Sequence, residues 1–382
     1  MGRPLRSEQF RHDEIAIVHC VQRCVRKAFL TGVDEESGKD YSHRREWIRR
    51  RLEALASVMC VDILSYAILS NHLHVILRNR PDVLGHLTDR EVAIRWLRVF
   101  PGRRIEEQLA EPSEIDVQRL VTDSKRLSKI RNRLSDISWF MRALAEPIAR
   151  IANQQDECTG RFWEGRFKAQ RIVDDAGLLA CAMYVDLNPV RAAMANSPEE
   201  SVHTSIFDRI EAEKGVCIDS AAFDLVPITS QESVAQRRKT IPIQRQELRE
   251  KRNKNKKKVL RDSWLSPLKF SADSNTSDPQ LHRDGTRASD KGFLRVDLSC
   301  YRKLLQWVAA NKPMAGTVSP PKVLRDTLAN CGVVPEMFSD LVWNFKKHFC
   351  RCVGGTDSMT SDAERIGRRW HQGQRRAAAY FG

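Results

Sequence analysis

Apolar and polar residues along the chain repeat with two periods, and the switches between them mark out the elements. Residues 14–25 (EIAIVHCVQRCV) alternate, with Val18, Cys20 and Gln22 on one face and His19, Val21 and Arg23 on the other, the two-residue period of a strand. Over residues 42–59 the spacing becomes helical. Trp47, Ile48, Leu52, Leu55, Ala56 and Met59 form an apolar stripe, and Arg44, Arg45, Arg49, Arg50 and Arg51 crowd the remaining surface. Residues 66–77 are apolar and rich in β formers, broken only at Ser70 and Asn71, which predicts strand, tight turn, strand.

Residues 80–135 carry helical periodicity (Val92, Ile94, Trp96, Leu97) broken by Pro101, Gly102 and Pro112, and read as an inserted helical unit. Residues 136–153 form a longer amphipathic segment that Pro147 should kink. Residues 167–173 read as a fourth strand. Asp174 or Asp175 suits the N-cap of the helix that follows, DAGLLACAMYVDLNPVRAAM, which Pro189 should end or kink. Beyond about residue 213 the composition shifts. The basic run KRNKNKKK (251–258) and the polar stretch 271–291 read as a flexible linker whose lysines grip phosphate. Residues 293–352 recover helical periodicity, and the last segment, AERIGRRWHQGQRRAAAYF, is basic and amphipathic. The expected organisation is an α+β domain over 1–215, a linker over 216–292 and a small helical module over 293–382.

Composition sharpens this outline. With 382 residues, 41% of them hydrophobic, and 14 Phe and 8 Trp, the chain can bury a substantial core. Lys plus Arg exceed Asp plus Glu by 64 to 49, a net +15, which points to a polyanionic partner, nucleic acid first. No apolar run reaches about 18 residues and the N-terminus is polar, so a soluble cytoplasmic protein is expected. Ten scattered cysteines read as reduced thiols. His348, Cys350 and Cys352 (HFCRC) have zinc-ligand chemistry, but no second C-x-x-C pair accompanies them, and a zinc site is not expected there.

Three stretches carry candidate chemistry. His72 and His74 flank Leu73, so strand alternation places both imidazoles on one face, roughly 7 Å apart at about 3.3 Å per residue. That is a platform for a divalent metal, although an isolated H-x-H is more often an ordinary surface pair. Residues 158–173 (CTGRFWEGRFKAQRIV) interleave Phe162, Trp163 and Phe167 with Arg161, Arg166, Lys168 and Arg171. The mixture suits single-stranded nucleic acid, while such aromatics taken alone are more often core. Tyr184 shares a helix face with Asn188, and a helical tyrosine is usually a packing residue.

In order along the chain, IVHCVQR with RKAFL, LSNHLHVIL, GRFWEGRFKA, YVDLNPVRAAM and SVHTSIF resemble the motifs of REP-associated tyrosine transposases, a branch of the single-tyrosine HUH transposases. The resemblance covers residues 14 to about 210. It implies a ferredoxin-like HUH domain with a central four-stranded antiparallel sheet, helices on one face, and a mostly helical basic C-terminal extension. It implies Tyr184 as nucleophile, His72 and His74 as metal ligands, and Asn188 in the place of a third polar ligand. The metal implied is Mg²⁺ or Mn²⁺, although imidazole donors alone suit Zn²⁺ or Mn²⁺ better than Mg²⁺. Arg23, Arg161, Trp163, Arg166, Lys168 and Arg191 are the expected DNA-binding residues. The partner is single-stranded or hairpin DNA in a bacterial cytoplasm or nucleoid, cleaved and rejoined through a 5′-phosphotyrosine link. The insertion at 80–135 departs from the minimal family core, and residues 216–382 lie beyond the resemblance. Monomer and homodimer stay open, as does whether Tyr184 meets its own chain's histidines. A replication initiator or relaxase would use the same histidines and tyrosine, but the NPVR context and the absence of a P-loop argue against it. A structured-nucleic-acid-binding protein without catalysis is the other alternative, against which the two histidines and Tyr184 weigh.

Overall fold

The computed structural model describes residues 6–11, 13–25, 30–34, 38–100, 112, 114–221, 257–270, 279–313 and 318–381. The first alternating stretch forms β1 (Ile17–Arg23), and the apolar stripe after it forms α1 (His43–Val58). β2 (Val61–Ile68) and β3 (His72–Asn79) make the expected hairpin, its turn closed by Leu69 N donating to His72 O at 2.9 Å. The insertion is α2 (Asp89–Val99), α3 (Glu114–Thr122) and α4 (Ser124–Leu134). It buries an apolar cluster of its own that includes Val92, Trp96, Leu120 and Ile130. α5 (Ile137–Gln155) carries Pro147 inside one helical span.

β4 (Lys168–Ile172) leads into α6 (Asp175–Asp186), a single turn α7 (Asn188–Arg191) and α8 (Ser205–Glu213). A small ribbon of β5 (Cys217–Asp219) and β6 (Lys258–Leu260) follows. The C-terminal part comprises α9 (Leu298–Ala310), α10 (Lys322–Asn330), α11 (Phe338–Trp343), α12 (Phe345–His348), β7 (Cys352–Val353), α13 (Thr356–Arg365) and α14 (Gln374–Tyr380).

The main sheet has the order β2-β3-β1-β4-β7. Its first four strands are antiparallel, and β7 adds a fifth, parallel to β4 through Arg171↔Cys352 and Ile172↔Val353. The class is therefore α+β with a mixed sheet. Helices cover both faces, not one as expected. α1 and α5 bury the face bearing Val18, Cys20, Leu73 and Val75. α6, with the C-terminal helices behind it, buries the face bearing Ala67, Ile76 and Ile172. The reason is that β2 and β3 are apolar at both parities, and a sheet with two apolar faces needs two layers.

Of the stretch whose polarity reads as a linker, residues 222–256 and 271–278, with most of the basic run, lie outside the described residues. The rest is folded onto the sheet by buried charge. Arg78 donates to Asp62 Oδ2 from Nε at 2.9 Å and Nη2 at 2.7 Å, and Arg80 Nη1 donates to the same oxygen at 2.9 Å. Ser289 Oγ donates to Asp62 Oδ1 at 2.9 Å, while Arg78 also reaches the carbonyls of Lys291 and Gly292. Two guanidiniums cannot be buried against one carboxylate without further acceptors, and the 279–294 segment supplies them. Its polarity is that of a partner to buried arginines.

Two aspartates tie the nucleophile-bearing helix to the C-terminal part. Asp174 caps α6 through Gly177 N (2.8 Å) and accepts from Gly355 N (2.6 Å) just after β7. A Cβ at Gly177 would lie 2.9 Å from Val353 O, so only glycine lets that strand approach the helix. Asp186 accepts from Ser205 Oγ (2.6 Å), Ile206 N (3.1 Å) and Tyr301 Oη of α9 (2.8 Å).

Removing the shared carboxylate by Asp62→Ala leaves Arg78 and Arg80 buried without their counter-charge, and should cost about 3–5 kcal/mol in urea unfolding; a loss below about 1 kcal/mol is incompatible with this network. Burial pushes the Asp186 carboxyl up to about 6. Its protonated form is then favoured by folding, and that contribution is complete at acid pH and lost as pH rises through about 6. Measured against Asp186→Asn, which cannot titrate, the stability of the native chain should fall by roughly 2–3 kcal/mol between about pH 4 and about pH 7.

Candidate active site

Register decides which side chains meet. β1 pairs Val21 with His74 and Arg23 with His72 on one side, and His19 with Gln170 of β4 on the other. Directly opposed residues share a face, so His19, His72, His74 and Gln170 all project toward α6. That helix brings in Tyr184, whose ring meets His74 edge-on at 5.6 Å and His19 at 5.9 Å between centroids. His72 and His74 lie 4.9 Å apart, ring to ring. The tyrosine and both motif histidines therefore come together within one chain.

Hydrogen bonds assign the protons on these rings. Gln170 Oε1 lies 3.1 Å from His19 Nδ1, and His19 Nε2 lies 2.8 Å from His74 Nδ1. An amide oxygen only accepts, so His19 carries its proton on Nδ1. His19 Nε2 then accepts from His74 Nδ1–H, and His74 Nε2 is left as a bare lone pair. That atom is buried and has no hydrogen-bond partner. The same logic holds for His72, whose Nδ1 lies 2.6 Å from Asn71 Oδ1; its Nε2 is likewise left as the acceptor.

The rings are held neutral. Burial, above all, pushes His19 and His72 down to about 4, with Arg23, Lys346 and Lys168 adding repulsion at His72. His74 lies well below the usual histidine range, through burial and then the neighbouring His19 and His72, Arg191 and Lys346. Neutral imidazoles with one nitrogen fixed by a partner and the other free are what a divalent metal requires. His72 and His74 fit that role. His19 does not, because its Nε2 is occupied by His74; it orients a ligand.

Tyr184 is 4% exposed. Burial raises its phenol above the ordinary value, opposed by Arg191 and Asn188. The Arg191 guanidinium sits 4.7 Å over the tyrosine ring and donates to Trp343 O at 2.7 Å. Phe345 of α12 stacks on the same tyrosine at 4.9 Å and 24°. Asn188 Nδ2 donates to Tyr184 O at 2.9 Å, so the amide nitrogen is committed to finishing the helix ahead of Pro189. Its Oδ1 is the atom left for a ligand role.

The expected DNA-binding residues divide. Arg23, Arg161, Arg166 and Lys168 are exposed, with Arg23 Nε 3.4 Å from Glu164. Arg191 is half-buried against Tyr184. Trp163 is a correction: it is buried, packs edge-on against Phe162, and donates Nε1–H to Ala145 O at 2.8 Å. No face remains for a base to stack on, because the aromatics of GRFWEGRF alternate inward from its basic residues. Sequence reasoning missed four participants: His19, Gln170, Phe345 and Lys346. For His19 a signal existed, its place on the Val21 and Arg23 face of the first strand. The others depend on register and long-range packing.

No family model matches this chain, and no curated protein matches it. Among solved structures, the REP-associated tyrosine transposase bound to a REP hairpin is similar at 11% identity and a TM-score of 0.31, over 57% of this chain and 91% of that one. Among the described residues no helix is long and apolar enough to cross a membrane.

Each buried neutral imidazole contributes stability that is fully present above the ordinary value of 6.5 and is lost as pH falls toward about 4. In NMR titrations the Hε1 signals of His19 and His72 should accordingly hold their neutral shifts through pH 6 and move only near about pH 4. Titration of either ring near 6.5 is incompatible with the hydrogen-bonded chain described above.

Proposed function

We propose that this protein cleaves and rejoins single-stranded DNA at hairpin-flanked ends, with Tyr184 as the nucleophile. The observation that supports this reading most is the meeting in one chain of Tyr184 with two histidines whose Nε2 lone pairs are set free by Asn71 and by the Gln170–His19 pair. Cationic side chains border that meeting point: Arg23, Lys168 and Lys346 act on His72, and Arg191 and Lys346 on His74. Such a rim suits the phosphates of a DNA backbone.

His72 and His74, with Asn188 Oδ1, would hold a Mg²⁺ or Mn²⁺ ion, and the all-imidazole pair favours Mn²⁺. When bound, the ion polarises the non-bridging oxygens of the scissile phosphate and offsets the charge that develops there. The chain's own contribution begins with the phenol. A tyrosine near pKa 10 is a weak nucleophile at neutral pH, and burial weakens it further. The Arg191 guanidinium favours the phenolate. Tyr184 Oη attacks phosphorus, the bond from phosphorus to O3′ breaks, and a proton lost from the phenol is replaced through solvent by one gained at the 3′-hydroxyl. The 5′-phosphotyrosine keeps the energy of the phosphodiester, so another 3′-hydroxyl can reverse the step without ATP. Because Tyr184 is buried under Phe345, a DNA strand has to displace the α11–α12 cover before its phosphate reaches Oη.

That cover also favours a second reading, in which the protein binds structured DNA and performs no chemistry. One assay separates the two. With an end-labelled single-stranded hairpin and Mn²⁺, the native chain should form a denaturant-resistant adduct, and Tyr184→Phe should form none. EDTA or His72→Ala should abolish cleavage while hairpin binding changes less than about threefold. Absence of an adduct with binding intact supports the second reading; an adduct that survives Tyr184→Phe rules out the first.

A further inference from the structure

The HFCRC stretch, which lacks a fourth ligand in sequence, separates on folding. His348 turns to Tyr380 Oη (2.9 Å) and Asp340 (3.3 Å), and Cys350 is exposed. Cys352 takes another course. As part of β7 it points into the interior, fully buried, where it meets Asp362 of α13 and His371 of the turn before α14. One ligand atom from each of the three lies within 4.8 Å of the others, and all three residues are buried.

The carboxylate is already divided between two tasks. Asp362 Oδ1 is held by Arg171 Nε at 2.9 Å and by Arg365 Nε at 3.0 Å, while Oδ2 faces His371 Nε2 at 2.9 Å. The two guanidinium charges are balanced by Glu14 as well as Asp362, since Glu14 Oε1 lies 2.9 Å from Arg171 and 3.2 Å from Arg365. The Oδ1 side therefore serves to orient the carboxylate, as outer partners of metal ligands do. The Oδ2 side presents oxygen, nitrogen and sulfur to one point. A cavity of ≈ 20 Å³ opens beside Asp362 and His371, bordered also by Arg171 and Arg351, with room for a single water.

We propose that Cys352, Asp362 and His371 bind one divalent transition-metal ion of the zinc class, with water as the fourth ligand. A thiolate, a carboxylate and a neutral imidazole together neutralise a dication, and zinc takes this mixture tetrahedrally at about 2.0–2.3 Å. Binding replaces the Cys352 S–H bond by a metal–sulfur bond and releases that proton to solvent, with no change of oxidation state. The ion would fasten β7, α13 and the following turn to the Arg171 edge of the sheet. It is separate from the histidine pair and independent of the DNA-cleavage reading.

The test uses the full chain stripped of metal and titrated with Co²⁺. A sulfur-to-cobalt charge-transfer band should grow to one equivalent, and the histidine pair, having no sulfur, cannot produce it. Cys350→Ser should keep the band and Cys352→Ser should lose it. Should Cys352→Ser fail to fold, His371→Asn retains the thiol and should weaken Co²⁺ binding by roughly tenfold or more. Zn²⁺ should compete the band away and raise the melting temperature of the native chain. No band in the native chain, a band that persists in Cys352→Ser, or unchanged affinity in His371→Asn would each overturn the proposal.

Discussion

Burying imidazoles in a sheet is costly unless their nitrogens are matched, and the relay from Gln170 through His19 to His74 is how this fold meets that constraint. Much else depends on it. The relay requires His19 opposite Gln170 and one pair away from His74, so it requires β1 between β3 and β4 in the observed register. A slip of one residue would turn His19 to the face of Val18 and Cys20. The same slip would strand Gln170 in an apolar layer. The site is thus specified by the sheet's pairing as much as by its own residues.

The second constraint is that both faces of the sheet are apolar. The C-terminal third is therefore a structural layer of the fold. Tyr301 closes the ligand set of Asp186, Gly355 completes the N-cap at Asp174, and the carbonyls of Lys291 and Gly292 solvate Arg78. Each contact joins a polar group in the first two hundred residues to one much later in the chain. Phe345 adds the last of them, on the tyrosine itself.

Local periodicity made the four antiparallel strands, α1, α6 and the helical insertion legible in the sequence, because each of these elements buries a face whose spacing is short-range. The histidine pair and Tyr184 were legible as candidates for the same reason. His19 and Gln170 were not, since their meeting depends on strand order and register. The segment around Ser289 and Lys291 was misread because polarity usually signals solvent, whereas here it complements buried arginines. Trp163 was misread in the opposite sense: basic neighbours suggested a surface, yet alternation put the indole inside. Cys352 was set aside for want of nearby ligands, and its partners Asp362 and His371 follow it in the chain but on other elements.

The parallel pairing of β4 with β7 brings residues 171–172 against 352–353, and it makes the order of synthesis matter. Contacts of such long sequence separation close slowly. While the ribosome is still extending the chain, β4 is a bare sheet edge, the kind of surface that pairs with other chains. Over the same interval the histidines and tyrosine are already present but Phe345 is not. A nascent or prematurely terminated chain would thus display the reactive cluster uncovered beside an adhesive edge, and both are closed by the same late stretch of polypeptide.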